Sequence, residues 1–324
     1  MDPSDFFTAA RVLIVAGKGG VGKTTIAATL GVAASQVGID TLLVEIEGKR
    51  GLGSLFAETP LLGAQATPLP YDDTELIAGT DTVGRLRART VLADSALMDY
   101  LEEHGLKEFG RTLSKLQVLD TLATSTPGLK DLIVLGKIKQ LELNRDAELI
   151  IVDAPASGHA ISFLRAARGL QTTIQTGPIQ RQADDVVDML TNPARTQVLL
   201  VTLAEETPVN ELVETAYALE DEVGVRLGPA IINAVHEDRL GSTSRSRSKT
   251  VSPVLARQAA DAAAYWTSRT NSQSQQVARL SEELPLEQLV LPRRLGSRLG
   301  RDDIAALSAA LLAQIEALRF RADT

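Results

Sequence analysis

The sequence contains no cysteine, and histidine, methionine and aromatic residues are scarce. The absence of cysteine excludes disulfides, iron–sulfur clusters and metal sites built from thiolates, and it is typical of proteins in a reducing compartment. The three histidines are scattered along the chain, which argues against a zinc site because zinc needs clustered histidine or cysteine ligands. We therefore expect no zinc.

Clustered positive charge and long apolar runs are also missing. The formal net charge is −8, whereas nucleic-acid binding and polybasic membrane anchoring need basic patches, so no nucleic-acid partner is expected. Residues Met1–Asp5 are acidic where a secretory signal would be positive, and the apolar run Val12–Ala16 is too short for a signal core or a membrane span. These features favour a cytoplasmic protein, peripheral to a membrane only through a partner.

A glycine-rich segment follows that apolar run: Gly17-Lys18-Gly19-Gly20-Val21-Gly22-Lys23-Thr24-Thr25. The next residues, Ile26–Val37, have the pattern of a helix. The spacing G-x-x-x-x-G-K-T predicts a phosphate-binding loop, in which backbone N–H groups face a polyphosphate, Lys23 reaches the β- and γ-phosphates and the Thr24 hydroxyl binds Mg²⁺. The amino end of the helix adds positive potential at the same place. A glycine-rich turn that matches by accident is the alternative.

Lys18 is a second lysine within this loop. The segment Lys18–Thr24 resembles the deviant Walker A loop of the ATPase superfamily that includes ParA, MinD, the nitrogenase iron protein and the arsenite-pump ATPase. The resemblance implies that Lys18 contacts nucleotide held across a dimer interface. The alternative is a solvated surface lysine.

Short apolar runs alternate with helical patterns along the chain, which predicts an α/β fold with a doubly wound, mostly parallel sheet. We expect a single P-loop ATPase domain over 1–324. The segment Gly48–Glu148 is too long for an ordinary crossover, and it predicts a helical insertion subdomain over 54–147. Within it, the composition predicts a loop over Thr59–Thr82 and helices over Arg89–Gly105, Lys107–Leu122 and Leu129–Leu143. The polar, basic stretch Ser242–Ser252 predicts a solvated linker, with an anion-contacting or phosphorylatable loop as the alternative.

The strand candidate Leu149–Val152 is followed by Asp153, a residue well placed to order Mg²⁺ or its bound water. The next residues, Ala154 to His159, are similar to the switch II segment of the ArsA-like subfamily, which contains the arsenite-pump and tail-anchored-protein targeting ATPases. Asp153, Gly158 and His159 match that segment, which implies a response to the γ-phosphate. A packing role for His159 at the start of a helix is the alternative.

The segment Glu45–Leu52 occupies the place of switch I in the same subfamily. The resemblance implies that Glu47 stands where the family has the Asp that orients the attacking water. Because the extra methylene shifts the carboxylate by about 1 Å or more, hydrolysis could be slow. Lys49 and Arg50 could meet phosphate or a partner subunit.

Two later positions resemble the subfamily's contacts with the base. Asn233 follows the strand candidate Ala230–Ile232 and resembles the residue that the subfamily presents to adenine, and Pro292 lies in a segment that resembles the loop over the base. No Asn-Lys-x-Asp segment for reading guanine occurs, so ATP is favoured over GTP. Either position could instead be an ordinary strand-end turn.

The segment Ser125–Leu132 resembles the helical insert of this subfamily, but the three methionines and the lack of a CxxC pair do not match its methionine-rich groove or its zinc bridge. A groove lined by leucine and a helical core that packs on itself are both open. The resemblance as a whole implies a Mg-ATP-dependent ATPase that forms a homodimer, or a heterodimer with a related subunit, and serves a membrane-protein or small-anion client. A regulatory subunit with little hydrolysis and a ParA- or MinD-like positioning ATPase are the alternatives.

Overall fold

The computed structural model describes residues 1–46, 51–57, 69–103, 128–155, 157–237, 252–296 and 298–318. The strands are β1 (Val12–Gly17), β2 (Thr41–Ile46), β3 (Thr74–Ile77), β4 (Leu86–Val91), β5 (Leu149–Asp153), β6 (Thr196–Leu203), β7 (Ala230–Val235) and β8 (Gln288–Pro292). The helices are α1 (Pro3–Thr8), α2 (Lys23–Gln36), α3 (Gly51–Leu55), α4 (Ala93–Glu103), α5 (Leu129–Asn144), α6 (Ser157–Thr173), α7 (Pro178–Thr191), α8 (Glu206–Ala218), α9 (Pro253–Glu283) and α10 (Arg301–Ala317).

Within these residues the strands form one sheet in the order β3-β4-β2-β5-β1-β6-β7-β8. Every neighbouring pair is parallel except β3 and β4, which are antiparallel. The chain passes from β1 to β2 on one side and places β6 on the other, so the order reverses at β1. Ligands of such folds bind beyond the carboxyl ends of the strands at this point. The predicted doubly wound, mostly parallel α/β sheet is confirmed.

Helices cover both faces of the sheet, which explains why the central strands consist almost entirely of apolar residues. On one face Leu13 and Val15 of β1 pack in a cluster with α1, α2 and α10. On the other face Val12 and Ile14 pack in a cluster with α5, α6, α7 and α8. The apolar side of α10 belongs to the first of these two clusters, since its residues Ile304, Leu307, Leu311 and Ile315 are all buried.

The first half of the stretch between β2 and β5 differs from its prediction. The loop predicted over Thr59–Thr82 is wrong for Thr74–Ile77, which is β3, and the helix predicted over Arg89–Gly105 begins only at Ala93 because Leu86–Val91 is β4. Strand β4 pairs with β2 over its whole length. This part of the predicted helical insertion therefore extends the main sheet, and its bounds at 54–147 remain a prediction.

The remaining predicted elements divide into confirmed ones and ones that lie outside the described residues. Helix α5 occupies the place predicted for Leu129–Leu143. The predicted helix Lys107–Leu122 lies outside the described residues, as do residues 242–251 of the predicted linker; its last residue, Ser252, is the N-cap of α9. In the described part of the chain, no helix combines the length and the apolar character needed to cross a membrane.

Candidate nucleotide-binding site

The glycine-rich loop crosses the carboxyl end of the sheet between β1 and α2. Gly20 and Gly22 have φ angles of +86° and +92°, in the left-handed region that favours glycine. A Cβ at Gly22 would lie 2.3 Å from Nδ2 of Asn233, and one at Gly17 would lie 2.3 Å from the carbonyl oxygen of Val201. The backbone is therefore packed too closely for side chains at these positions. A glycine loop that leads into a helix N-terminus is the arrangement that binds phosphate through backbone N–H groups.

Lys23, the first residue of α2, lies over this loop. Its side chain is 7% exposed, and Nζ donates a hydrogen bond to the backbone carbonyl of Lys18 at 2.8 Å. Burying an ammonium group is costly unless it is well paired. The loop therefore holds a cation at the place where the motif predicts phosphate.

Thr24 and Asp153 meet beneath the loop. The Thr24 hydroxyl donates a hydrogen bond to Oδ2 of Asp153 at 2.7 Å. Asp153 is fully buried at the end of β5 and lies in register with Val15 of β1. A hydroxyl and a carboxylate are the hard oxygen ligands that Mg²⁺ prefers, so these two residues fit a magnesium ion. Thr25 follows in the first turn of α2, where its carbonyl accepts the Thr29 hydroxyl.

Lys18 points away from the loop toward α8. Its half-exposed side chain forms an ion pair with Glu211 of the same chain. Ion pairs at this level of exposure contribute little to stability, typically about 0 to 1 kcal/mol. The pair can therefore open at small cost, and the role of Lys18 across a dimer interface remains a prediction.

Asn233 braces the phosphate-binding loop from β7. Its side chain is largely buried, and Nδ2 donates to the carbonyl oxygen of Val21 at 2.9 Å. Pro292 ends the neighbouring strand β8 and lies in register with Val235. The structure thus places the two residues predicted to contact the base in the carboxyl-terminal halves of adjacent strands. The adenine contact itself remains a prediction.

Two predicted site positions lie wholly or partly outside the described residues. Glu47, together with Lys49 and Arg50, lies outside the described residues. His159 falls in the first turn of α6, but its side chain is outside the described part of the structure. The roles predicted for these residues in hydrolysis and in sensing the γ-phosphate therefore stay predictions.

Glu45 is a residue of this site that sequence reasoning missed. It is fully buried in β2, in register with Asp153 of β5, and its carboxylate accepts the backbone N–H groups of Gly51 at 2.9 Å and Leu52 at 3.2 Å. The signal was present in the sequence, since a Glu in the strand Thr41–Ile46 interrupts an apolar run. Glutamate is almost never fully buried unless it is paired.

His236, the first residue after β7, lies close to this site. The His236 ring packs edge-on against the indole of Trp266, with ring centroids 4.6 Å apart. Burial lowers the pKa of His236, and the positive charges of Arg293 and Arg269 lower it further. A neutral imidazole therefore lies next to the strand end that carries Asn233.

Comparison with known proteins places the chain among ATPases. The chain matches the model of the anion-transporting ATPase family over residues 10–183, which include the glycine-rich loop, Glu45 and Asp153. Among curated proteins, ATPase BagA of Mycobacterium tuberculosis is 33% identical over 230 residues, which are 69% of this chain and 64% of the relative. The putative arsenical pump-driving ATPase of Halobacterium salinarum is 20% identical over 311 residues, 92% of this chain and 44% of that protein.

ATPase GET3B of Arabidopsis thaliana is 28% identical over 176 residues, which are 52% of this chain and 42% of the relative. The chain therefore spans less than two thirds of the length of each of these relatives. The family model nevertheless covers more than half of the chain, from the start of the phosphate-binding loop region past Asp153. The chain belongs to the anion-transporting ATPase family.

Proposed function

We propose that the protein binds Mg-ATP and hydrolyses it to ADP and phosphate. The observation that carries this proposal is the hydrogen bond of 2.7 Å between Thr24 and the buried Asp153, directly beneath a glycine loop that holds Lys23. These groups supply a cation, N–H donors and hard oxygen ligands at one place. Phosphoryl transfer needs little more from a protein than such positioning and charge stabilisation.

Each residue has a distinct task in this proposal. The loop N–H groups and Lys23 bind the β- and γ-phosphates, and Thr24 and Asp153 hold the metal ion or its water. When bound, Mg²⁺ neutralises charge that develops on the phosphate oxygens. Glu47 orients the attacking water as an acceptor of its proton. No covalent intermediate on the protein is required.

The proposal also assigns residues to recognition of the nucleotide base and to contact between two subunits. Asn233 and Pro292, in the carboxyl-terminal halves of adjacent strands, contact adenine, so that ATP is bound in preference to GTP. Lys18 leaves Glu211 and reaches the nucleotide of a partner subunit, either a second copy or a related ATPase. ATP binding and hydrolysis then change the conformation of the dimer. The description of the family and the relative named for an arsenical pump favour an anion over a membrane protein as the client.

A regulatory subunit with little hydrolysis is a second candidate function. The observation that favours it is Glu47, which stands where the resemblance implies a catalytic Asp. Such a subunit would still bind Mg-ATP and lend Lys18 to a more active partner. For a ParA- or MinD-like positioning ATPase the support is weaker, because the apolar face of α10 is packed in the core.

Calorimetry with Mg-ATP and Mg-GTP tests the proposal. We expect Lys23→Ala to raise the Kd for Mg-ATP about a hundredfold, roughly 2.7 kcal/mol, because the loop loses its buried cation. Lys130→Ala is the matched control, since that lysine is exposed in the first turn of α5 and should leave binding unchanged. Equal affinity for GTP, or unchanged ATP binding by Lys23→Ala, would contradict the assignment. Release of phosphate from ATP separates the enzyme from the regulatory subunit.

A further inference from the structure

Glu45 lies on the strand next to the one that carries Asp153 of the magnesium-binding pair. Residues in register on adjacent parallel strands project to the same face of a sheet, and Glu45 of β2 is in register with Asp153 of β5. Both side chains are fully buried. Two carboxylates so close together are costly in a water-excluded interior unless each is compensated by donors or cations.

The donors for Glu45 come from the start of α3. Its Oε1 accepts the N–H of Gly51 at 2.9 Å and the N–H of Leu52 at 3.2 Å. These amides have no partner within so short a helix, because the first N–H groups of any helix lack one. Glu45 therefore fixes the amino end of α3 to the sheet. Leu52 follows as a fully buried residue of the core, so the helix is held from both sides.

The amino end of α3 packs against Thr24. A Cβ placed on Gly51 would lie 2.6 Å from Cγ2 of Thr24, closer than real atoms approach. The methyl group of Thr24 thus rests on the backbone of Gly51, while its hydroxyl donates to Asp153. The rotamer of Thr24 is set by these two contacts together.

We propose that Glu45 is a positioning residue for the magnesium site: it holds Gly51 against Thr24 and so fixes the Thr24 hydroxyl at the metal position beside Asp153. The inference rests on the proposed Mg-ATP site. Glu45 acts through Gly51 and Thr24 and does not touch the nucleotide. Residues that orient metal ligands in this way typically change metal affinity about 10- to 100-fold when they are replaced.

Magnesium dependence of nucleotide affinity tests this role. ATP binding is measured by calorimetry in EDTA and over a series of Mg²⁺ concentrations, for wild type, Glu45→Gln and Gly51→Ala. The glutamine keeps the shape of Glu45 but loses its charge, and charge-assisted hydrogen bonds are about twice as strong as neutral ones. The alanine at 51 displaces Thr24 by an independent route. We expect both variants to need about tenfold more Mg²⁺ for half of the metal-dependent gain in affinity.

Two further measurements distinguish a specific effect on the magnesium site from a general loss of packing. Affinity for ATP in EDTA should stay within twofold of wild type in both variants, because the phosphate-binding loop and Lys23 are untouched. Glu75→Gln on the exposed side of β3 and Gly169→Ala, where an added Cβ meets nothing within 4 Å, are the matched controls. Both should behave as wild type.

Three results would overturn the inference. The first is that Gly51→Ala and Glu45→Gln, each measured as a single variant, both show the magnesium dependence of wild type. If Glu45→Gln does not fold, an unchanged magnesium dependence in Gly51→Ala is sufficient. Another is an equal loss of affinity with and without the metal. The third is a wild-type protein that binds no nucleotide or ignores Mg²⁺, which would refute the proposed function as well. A wild type that responds to Mg²⁺ while the variants match it would refute the role of Glu45 alone.

Discussion

Asn233 joins the two halves of the nucleotide site at the scale of a single side chain. Its Nδ2 donates to the carbonyl of Val21 in the phosphate-binding loop, while its backbone belongs to β7, next to the strand that ends in Pro292. The same side chain also fills the space that a Cβ on Gly22 would need. Asn233 therefore supports the phosphate-binding loop, independently of its proposed contact with adenine.

Replacing Asn233 by aspartate tests this support. Asn233→Asp keeps the size of the side chain but turns a donor into an acceptor that faces the Val21 carbonyl. A buried acceptor without a donor costs about 1 to 3 kcal/mol, so we expect a lower unfolding midpoint and weaker ATP binding. Asn233→Ala leaves only one unpaired carbonyl and should be less harmful. Unfolding midpoints and ATP affinities of both variants check the order, and an aspartate variant that equals wild type would contradict it.

At the scale of elements, the ion pair between Lys18 and Glu211 ties the phosphate-binding loop to α8. A lysine that acts on a partner's nucleotide cannot keep this contact, because the pair lies within one chain. Opening it costs little, since both side chains are partly exposed. In the proposed dimer, Lys18 has to leave Glu211 before it can reach the partner's nucleotide. We call these two residues the latch.

The latch makes a prediction with two opposite variants. Lys18→Ala should keep most ATP binding in the isolated chain but lose ATP-dependent dimerisation and the hydrolysis that depends on it. Glu211→Gln frees Lys18 and should raise ATP-dependent dimerisation severalfold. Light scattering with and without a non-hydrolysable ATP analogue measures both, and Glu214→Gln on the same helix is the control. Loss of dimerisation in Glu211→Gln would show that the contact supports the dimer.

The strands that the sequence did not predict also have an explanation at this scale. In β4, Leu86, Ala88 and Thr90 are buried and alternate with Arg87 and Arg89. This alternation is typical of a strand. The sequence is nevertheless interpreted as a helix from Arg89 onward, because the residues that follow have helical spacing of apolar side chains. Both arginines form ion pairs with Asp73, just before β3. These ion pairs compensate the charge of the two arginines within the strand. They are tertiary contacts, so a local sequence pattern cannot predict them.

For the whole molecule, local signals sufficed to predict the fold class. The alternation of strands and helices predicted the α/β sheet, and the structure brings the loop from Gly17 to Thr25 together with Asp153 through the hydrogen bond from Thr24. A Glu within an apolar run signals a buried charge at Glu45, but it does not reveal that the backbone amides of Gly51 and Leu52 are donors to it, because that contact is tertiary. The order of the strands likewise depends on packing between distant segments, and periodicity carries no information on it.

The stability of the whole molecule should depend on pH through His236. Burial, Arg293 and Arg269 hold its pKa below the ordinary value of 6.5, so the folded protein keeps the ring neutral at a pH where the unfolded chain binds a proton. Linkage then requires that stability is fully present above about pH 6.5 and falls as the pH drops through the lower, folded-state pKa. Urea unfolding at pH 7 and pH 5 measures this loss.

His236→Phe isolates the contribution of that ring from the other two histidines of the sequence. Phenylalanine keeps an aromatic ring against Trp266 but cannot take up a proton, so the variant should lose less stability than wild type between pH 7 and pH 5. Comparing the change in unfolding free energy between pH 7 and pH 5 removes any constant effect of the substitution on packing, because that effect is present at both pH values. Equal slopes for the two proteins would mean that the neutral ring at the end of β7 has no part in the acid sensitivity of the fold.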